Sequence, residues 1–256
     1  MEITKAYRKM VASLATARGR RENGLFVAEG TKCVLDTFNA FTPSAVLATA
    51  GWIEEHGEAI RNRRVLYEVK RADIIEMSSL STPPDVIAVY QIPDEVAEAP
   101  AEGELYLALD RVQDPGNLGT IIRVSSWMGI RRIYCSRDTV DVYNPKVVQA
   151  TMGALAQVKV EYCDLEATLE TAAGKGIPVY GTFLDGENIY STHLTPGGII
   201  VMGNEGKGIS DEVARTVTHR LYIPPYPADS EHVESLNVSV ATAITVAEFR
   251  RQTLKA

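Results

Sequence analysis

The chain has 256 residues, 26 Lys and Arg against 33 Asp and Glu for a formal net charge of −7, and 45% hydrophobic and 23% charged side chains. That length holds one large domain or two ordinary ones, and that composition belongs to a globular chain able to bury a core. No apolar run approaches the length of a membrane span, and the opening MEITKAYRKM lacks the apolar segment of a signal peptide. Cys33, Cys135 and Cys163 are odd in number and without CxxC spacing, so neither a disulfide frame nor a zinc site or other metal centre is indicated. A reducing cytoplasm is the natural compartment.

Taken in chain order, the first segment crowds Lys5, Arg8, Lys9, Arg18, Arg20 and Arg21 against only Glu2 and Glu22. Net charge averages over such patches. This one reads either as a solvated helix face or as an arm for nucleic-acid phosphate, with Arg18, Arg20 and Arg21 the candidate contacts. LFVAEG, AVLAT, RVLYEV and DVIAVYQI then read as strands, with TKCVLDTF, WIEEHGEAIRNR and ADIIEMSSL as helices between them, which implies an α/β sandwich. IPDEVAEAPAEGE lacks periodicity and is rich in Pro, Ala and Glu. It separates a first domain, residues 1–92, by a linker, 93–104, from a second domain, 105–256.

The second domain alternates again. ELYLALDRV, RRIYCS, QVKVEYC, IPVYGTFL, GGIIVMG and RLYIP read as strands; IIRVSSWMG, PKVVQATMGAL, LEATLETAAGKG and SDEVARTV read as helices. Near-continuous apolar strands with helical crossovers predict a mostly parallel sheet, whose ligands lie beyond the carboxyl ends of the strands. Three loops there carry chemistry. RVQDPGNLGTIIR, residues 111–123, has turn residues at Asp114, Pro115 and Gly116, an Asn117 able to cap a helix, and Arg123. Read as lying in the first turns of that helix, Arg123 opposes the helix dipole and calls for an anionic partner such as phosphate; otherwise the stretch is an ordinary strand-turn-helix link. GNEGKGIS, residues 203–210, is neither a Walker A loop nor a GxGxxG fingerprint, yet its glycines suit backbone pressed against a flat or charged ligand.

The third loop, YIPPYPADSEHVESLN, leads into VSVATAITVAEFRRQ. Val238, Val240, Ile244 and Val246 alternate with small residues as in a buried strand, but the run is too long for one. It has no turn signal and begins at Ser235 and Asn237, where a helix would be capped, so it is assigned as a tightly packed helix. No HExxH, GxSxG or paired carboxylate motif is present, and His56, His193 and His219 stand alone. His232, inside the third loop, is a minor candidate for proton handling.

Together NLGTIIR, VMGNEGKGIS and IP…VESLNVSVATAI…E..RQ, each after a predicted strand, resemble the three motifs of the SpoU (TrmH) family of the SPOUT superfamily, with YNPKVVQATMGALAQVKV between them. The resemblance extends more loosely to RRENGLFVAEGTKCVLD and LSTPPDVIAV in the first domain, which looks like the family's RNA-substrate-binding extension. It departs between Ile223 and Leu236, where this chain is longer than the usual compact loop and includes Pro225, Pro227 and Asp229.

The resemblance implies an RNA ribose 2′-O-methyltransferase that uses S-adenosylmethionine. It also implies an α/β fold whose C-terminal, mostly parallel sheet is tied into a deep trefoil knot, otherwise nearly absent from proteins, and a homodimer beside the threaded last helix. By position, Gly203, Ile223 and Leu236 match cofactor contacts, with Asn204 and Thr182 beside them; Asn117, Arg123, Glu205, Ser235 and Asn237 match the polar residues around the reacting ribose. Arg123's counterpart is assigned the proton abstraction with help from a substrate phosphate, although a free guanidinium stays protonated and suits an electrostatic role equally. Ribosomal RNA is expected over transfer RNA. The alternatives are a non-enzymatic RNA-binding protein that kept the fold, and a dinucleotide-dependent oxidoreductase, against which the missing GxGxxG counts.

Overall fold

A computed structural model describes residues 3–60, 62–94, 97–227, 233 and 235–254. The chain forms two compact units, residues 1–94 with 141–157, and residues 95–140 with 158–256.

The first unit opens with two short helices, α1 (Lys5–Ser13) and α2 (Ala17–Asn23), capped by the hydroxyls of Thr4 and Thr16. Strand β1 (Leu25–Glu29), helix α3 (Thr31–Thr37), strand β2 (Pro43–Ala48), helix α4 (Ala50–His56), strand β3 (Leu66–Glu68), helix α5 (Arg71–Met77) and strand β4 (Val86–Gln91) follow. The strands form one sheet in the order β1-β4-β2-β3, with β4 antiparallel to both neighbours and β2 parallel to β3. One face of this sheet, with Val27, Leu47, Ile87 and Val89, buries Val11, Leu14, Ile74 and Met77 of the helices. The helix expected over 52–63 ends at His56 and passes into a 3₁₀ turn at Gly57–Ala59.

The second unit is a six-stranded, wholly parallel sheet. Its elements are β5 (Leu105–Leu109), α6 (Pro115–Trp127) and β6 (Arg132–Ser136), then, after a helix α7 (Pro145–Thr151) that belongs to the first unit, β7 (Lys159–Cys163) and α8 (Leu165–Gly174). They continue as β8 (Val179–Asn188), β9 (Gly198–Met202), α9 (Asp211–Ala214), β10 (His219–Tyr222) and α10 (Val238–Thr253). The strand order is β10-β8-β9-β5-β6-β7. Strands β5, β6 and β9 are predominantly buried, β8 is buried only over Val179–Gly181, and one face of the sheet packs Tyr106, Ala108, Ile199 and Val201 against Leu165, Leu169 and Val213. Tyr180 meets Phe249 of α10 edge to face, with ring centroids 4.9 Å apart.

Two details position the site. The order reverses direction at the central pair β5 and β9, the place where parallel sheets open a crevice. In that pair Leu109 lies opposite Met202, so the loops after both strands leave the sheet side by side.

The stretch expected to be a featureless linker is partly tied down within this unit. Glu98 pairs with Arg132, its carbonyl accepts from the Tyr134 hydroxyl at 2.8 Å, and the amide of Ala101 donates to the Tyr106 hydroxyl at 3.1 Å. Arg132 is 8% exposed and also pairs with Glu161 at 2.7 Å, so two carboxylates offset the cost of burying its charge.

Candidate active site

Helix α6 begins earlier than the sequence suggests. Asp114 is its cap, its Oδ1 accepting from the Asn117 amide at 2.8 Å, and Pro115 takes the first helical position, where its missing N–H costs nothing. This corrects two expectations. Asn117 does not cap the helix; it stands in the first turn with its side chain free to turn outward. Arg123 stands nine residues into the helix, in the third turn, where the dipole of the N-terminus has faded, so the dipole argument for an anionic partner does not hold.

The Asn117 side chain joins the three loops. Its Nδ2 donates to Glu205 Oε1 at 2.8 Å, and its Oδ1 accepts from Asn237 Nδ2 at 2.9 Å. Asn237 in turn caps α10, its Oδ1 accepting from the Ser239 amide at 2.9 Å, the Ser239 hydroxyl at 2.7 Å and the Val240 amide at 3.4 Å. One side chain therefore starts the last helix and orients the amide of another loop. The run after Ser235 and Asn237 is the helix that the sequence suggests, and of those two candidate caps it is Asn237 that starts it.

The glycine-rich loop closes on itself. Asn204 exchanges two backbone hydrogen bonds with Gly208, at 3.0 and 2.9 Å, while its Oδ1 accepts from the amides of Gly206 and Lys207 at 3.0 Å each. A Cβ on Gly203 would lie 2.2 Å from the Gly208 carbonyl carbon, so glycine is obligatory at this close approach. Asn204 Nδ2 donates to the Arg111 carbonyl at 2.8 Å, and the amide of Ser210 donates to the buried Asp110 at 2.6 Å. Asp110 and Arg111 were not singled out from the sequence. The available signal was an aspartate directly after a fully apolar strand, where a buried charge needs a partner.

Beside this cluster lies a cavity of about 680 Å³, within the size range of small-molecule sites. Thr182, Gly203, Asn204, Ile223 and Leu236, all expected to touch the cofactor, line it, as do Glu205 and Ser235. Val238, Ala241 and Ile244 of α10 add apolar wall. The donor set fits S-adenosylmethionine: apolar side chains suit an adenine face and a thioether chain, while the closely folded 203–208 backbone leaves room for a flat ligand against it.

Arg123 is exposed on α6, and among the described residues it makes no hydrogen bond or ion pair and does not join the Asn117–Glu205–Asn237 cluster. In the first unit, Arg18 and Arg21 are exposed, Arg18 pairing with Glu22 at 2.6 Å. Arg20 corrects the phosphate arm. It is 2% exposed, its guanidinium grips Asp141 Oδ2 at 2.8 and 2.5 Å and donates to the Leu14 carbonyl at 2.9 Å, so no donor face is left for RNA. His232 lies outside the described residues.

The comparisons with known proteins follow this geometry. Residues 104–247 match the SpoU rRNA methylase family, and residues 7–88 match an MRM3-like substrate-binding domain. The chain belongs to the SpoU rRNA methylase family. Among its relatives, an uncharacterized tRNA/rRNA methyltransferase of Synechocystis is 30% identical over 95% of this chain and 90% of its own. The 23S rRNA (guanosine(2553)-2′-O)-methyltransferase of Bacillus subtilis is 31% identical over 68% of each chain. Among solved structures, a TrmH-family protein from Porphyromonas gingivalis is 38% identical with a TM-score of 0.89, covering 98% of this chain and 100% of that one. An AdoMet-bound rRNA methyltransferase from Sinorhizobium meliloti is 29% identical with a TM-score of 0.85, covering 98% and 96%. As a SpoU methylase the chain is an S-adenosylmethionine-dependent RNA 2′-O-methyltransferase of the SPOUT class.

Proposed function

We propose that this SpoU methylase binds S-adenosylmethionine in the cavity beside α10 and methylates a ribose 2′-hydroxyl of ribosomal RNA at the Asn117–Glu205–Asn237 cluster. The observation that carries the reading is that cluster: three polar side chains from three separate loops, linked at 2.8 and 2.9 Å, at the edge of a cavity with an apolar wall. The cofactor supplies an electrophilic methyl group on a sulfonium. The protein's part is to hold the ribose oxygen in line with that carbon, and positioning of this kind can supply much of the rate. Asn117, Glu205, Ser235 and Asn237 orient the ribose. Arg123 binds the phosphate next to it and stabilises charge developing on the oxygen, the role that suits a group which stays protonated.

The enzyme acts as a homodimer in the cytoplasm, with residues 1–92 as the RNA-binding domain, 93–104 as the connection and 105–256 as the methyltransferase domain. Trp127, 87% exposed, stands one turn beyond Arg123 on the same helix face, where a second copy would cover it. The knotted path of the last helix belongs to the same reading. Its support is that Gln252 accepts from the Leu194 amide at 3.0 Å and donates to the Thr192 carbonyl at 3.1 Å, fastening α10 to the connection between β8 and β9.

Ribosomal RNA is favoured by the 23S rRNA activity of the Bacillus subtilis relative, while the Synechocystis relative's name leaves transfer RNA as the second reading. Methyl transfer to total RNA from a strain lacking the gene, followed by mapping of 2′-O-methyl sites by primer extension, tests it. A ribosomal site that is lost with the gene and restored by the protein is expected. A site found only in transfer RNA would establish the second reading.

A further inference from the structure

The two residues that follow β5, Asp110 and Arg111, grip the glycine-rich loop at both of its ends. Asp110 donates its amide to the Met202 carbonyl at 2.9 Å, just before the loop, and its carboxylate accepts from the Ser210 amide at 2.6 Å, just after it. Arg111 holds the middle: its amide donates to the Ser136 hydroxyl at 2.8 Å, and its carbonyl accepts from Asn204 Nδ2 at 2.8 Å.

Arg111 does this at φ 59°, in the left-handed region that a residue with a Cβ enters at a cost. Its side chain gains little in return. Nε is buried without a hydrogen-bond partner, and the contact to Asp110 Oδ1 is a loose 3.4 Å. Backbone strain of this kind persists only where the surroundings over-determine it. Here the left-handed turn is what aims the Arg111 carbonyl at Asn204. Asn204 holds the turn at Gly206 and Lys207, and Glu205 beside it meets Asn117.

We propose that Arg111 is a positioning residue whose left-handed backbone, rather than its charge, presets the 203–208 loop that lines the cavity. This rests on the reading of that cavity as the S-adenosylmethionine site.

The test compares Arg111→Gly, Arg111→Ala and Arg111→Val with wild type by calorimetric titration of S-adenosylmethionine, with RNA affinity measured alongside. Glycine keeps the turn without the side chain; valine, branched at Cβ, resists the turn most. The expected order is glycine within about twofold of wild type, alanine weaker, and valine weaker by about tenfold or more, with RNA affinity unchanged throughout. If the valine variant does not fold, alanine against glycine carries the same comparison. A glycine variant as impaired as alanine would show that the side chain matters and overturn the proposal, as would three variants that all bind like wild type. Gly203→Ala, whose Cβ would collide with the Gly208 backbone, separates the two readings. If it binds the cofactor as wild type does, the cavity assignment and this inference fall together. If it loses the cofactor while every Arg111 variant keeps it, only the role of Arg111 falls.

Discussion

Asn237 donates its side-chain amide to Asn117 at 2.9 Å, across 120 residues of sequence. Because Asn117 passes the constraint on to Glu205 at 2.8 Å, the three behave as one unit. Truncating Asn117 to alanine removes both links at once and leaves the cavity wall untouched. Asn117→Ala should lower the single-turnover methylation rate by roughly 10²-fold, the scale expected for a small misplacement of reacting groups, while cofactor affinity changes little. The double variant with Asn237→Ala should cost much less than the product of the two single losses. Multiplicative losses would mean that the two amides act independently.

Arg123 should matter for the rate and not for the cofactor. Arg123→Ala is expected to leave S-adenosylmethionine binding near wild type in calorimetry while methyl transfer collapses. Arg123→Lys should recover only a small part, since lysine keeps the charge but lacks the planar fork that holds a phosphate by two bonds. Loss of cofactor binding in the alanine variant, or a wild-type rate, would remove Arg123 from the site.

Trp127 reports on assembly. Light scattering at micromolar concentration should give about twice the 28.0 kDa chain mass. Trp127→Glu, which places a charge on an exposed apolar surface, should shift the population to the single-chain mass. A fully active monomer in either form would sink the homodimer.

The basic segment divides into two classes. Neutralising Arg18 and Arg21, both exposed, should weaken RNA binding and flatten its dependence on salt. Arg20→Ala should instead unfold the first unit more easily, by about 3 kcal/mol, the low end for breaking a buried pair because the Asp141 side chain keeps 38% exposure. Urea denaturation reads the second effect and filter binding the first. A wild-type urea midpoint for Arg20→Ala would contradict its structural role.

Alkaline pH should loosen the fold. Burial, with Asp36 and Glu29 nearby, lifts the Cys33 thiol from its ordinary 9.0 to about 11. Burial also raises Cys135, Tyr90 and Tyr134. Below pH 9.0 this neutral-state stability is fully present; between 9.0 and about 11 the unfolded chain releases a proton that the native one keeps, so stability falls as pH rises. Cys33 alone accounts for about 2 kcal/mol over that window. The urea midpoint should drop between these limits and drop less in Cys33→Ala. A flat profile in the wild type would contradict the burial of these groups.

What could be read from the sequence follows periodicity and its failures. Strands β1, β2, β4, β5, β6 and β9 were legible because they are buried and largely apolar runs, whereas the polar second half of β8, through Asn188, gave no such signal. The last helix was legible despite its strand-like alternation because its length and Asn237 outweighed its β-branched residues. The start of α6 was misplaced because Asp114 and Asn117 are both capable caps three residues apart, and only the proline between them decides. Arg20 was misread because a buried arginine and a surface one look alike until Asp141, 121 residues away, folds onto it. The grip of Arg111 on Asn204 was invisible, since it depends on a carbonyl direction that no side chain reports.

The separation between Asn117 and Asn237 also has a meaning in time. At elongation rates of roughly 5 to 20 residues per second, the 120 residues between them take about 6 to 24 s to synthesise. Glu205 joins Asn117 in the nascent chain only 88 residues later, and until Asn237 follows the chain lacks both the side chain that orients them and the helix that walls the cavity. On the reading of this cluster as the ribose site, the site is therefore completed only when the last helix has emerged. A chain cut short before Asn237 would lack both the third member of the cluster and the α10 wall of the cavity.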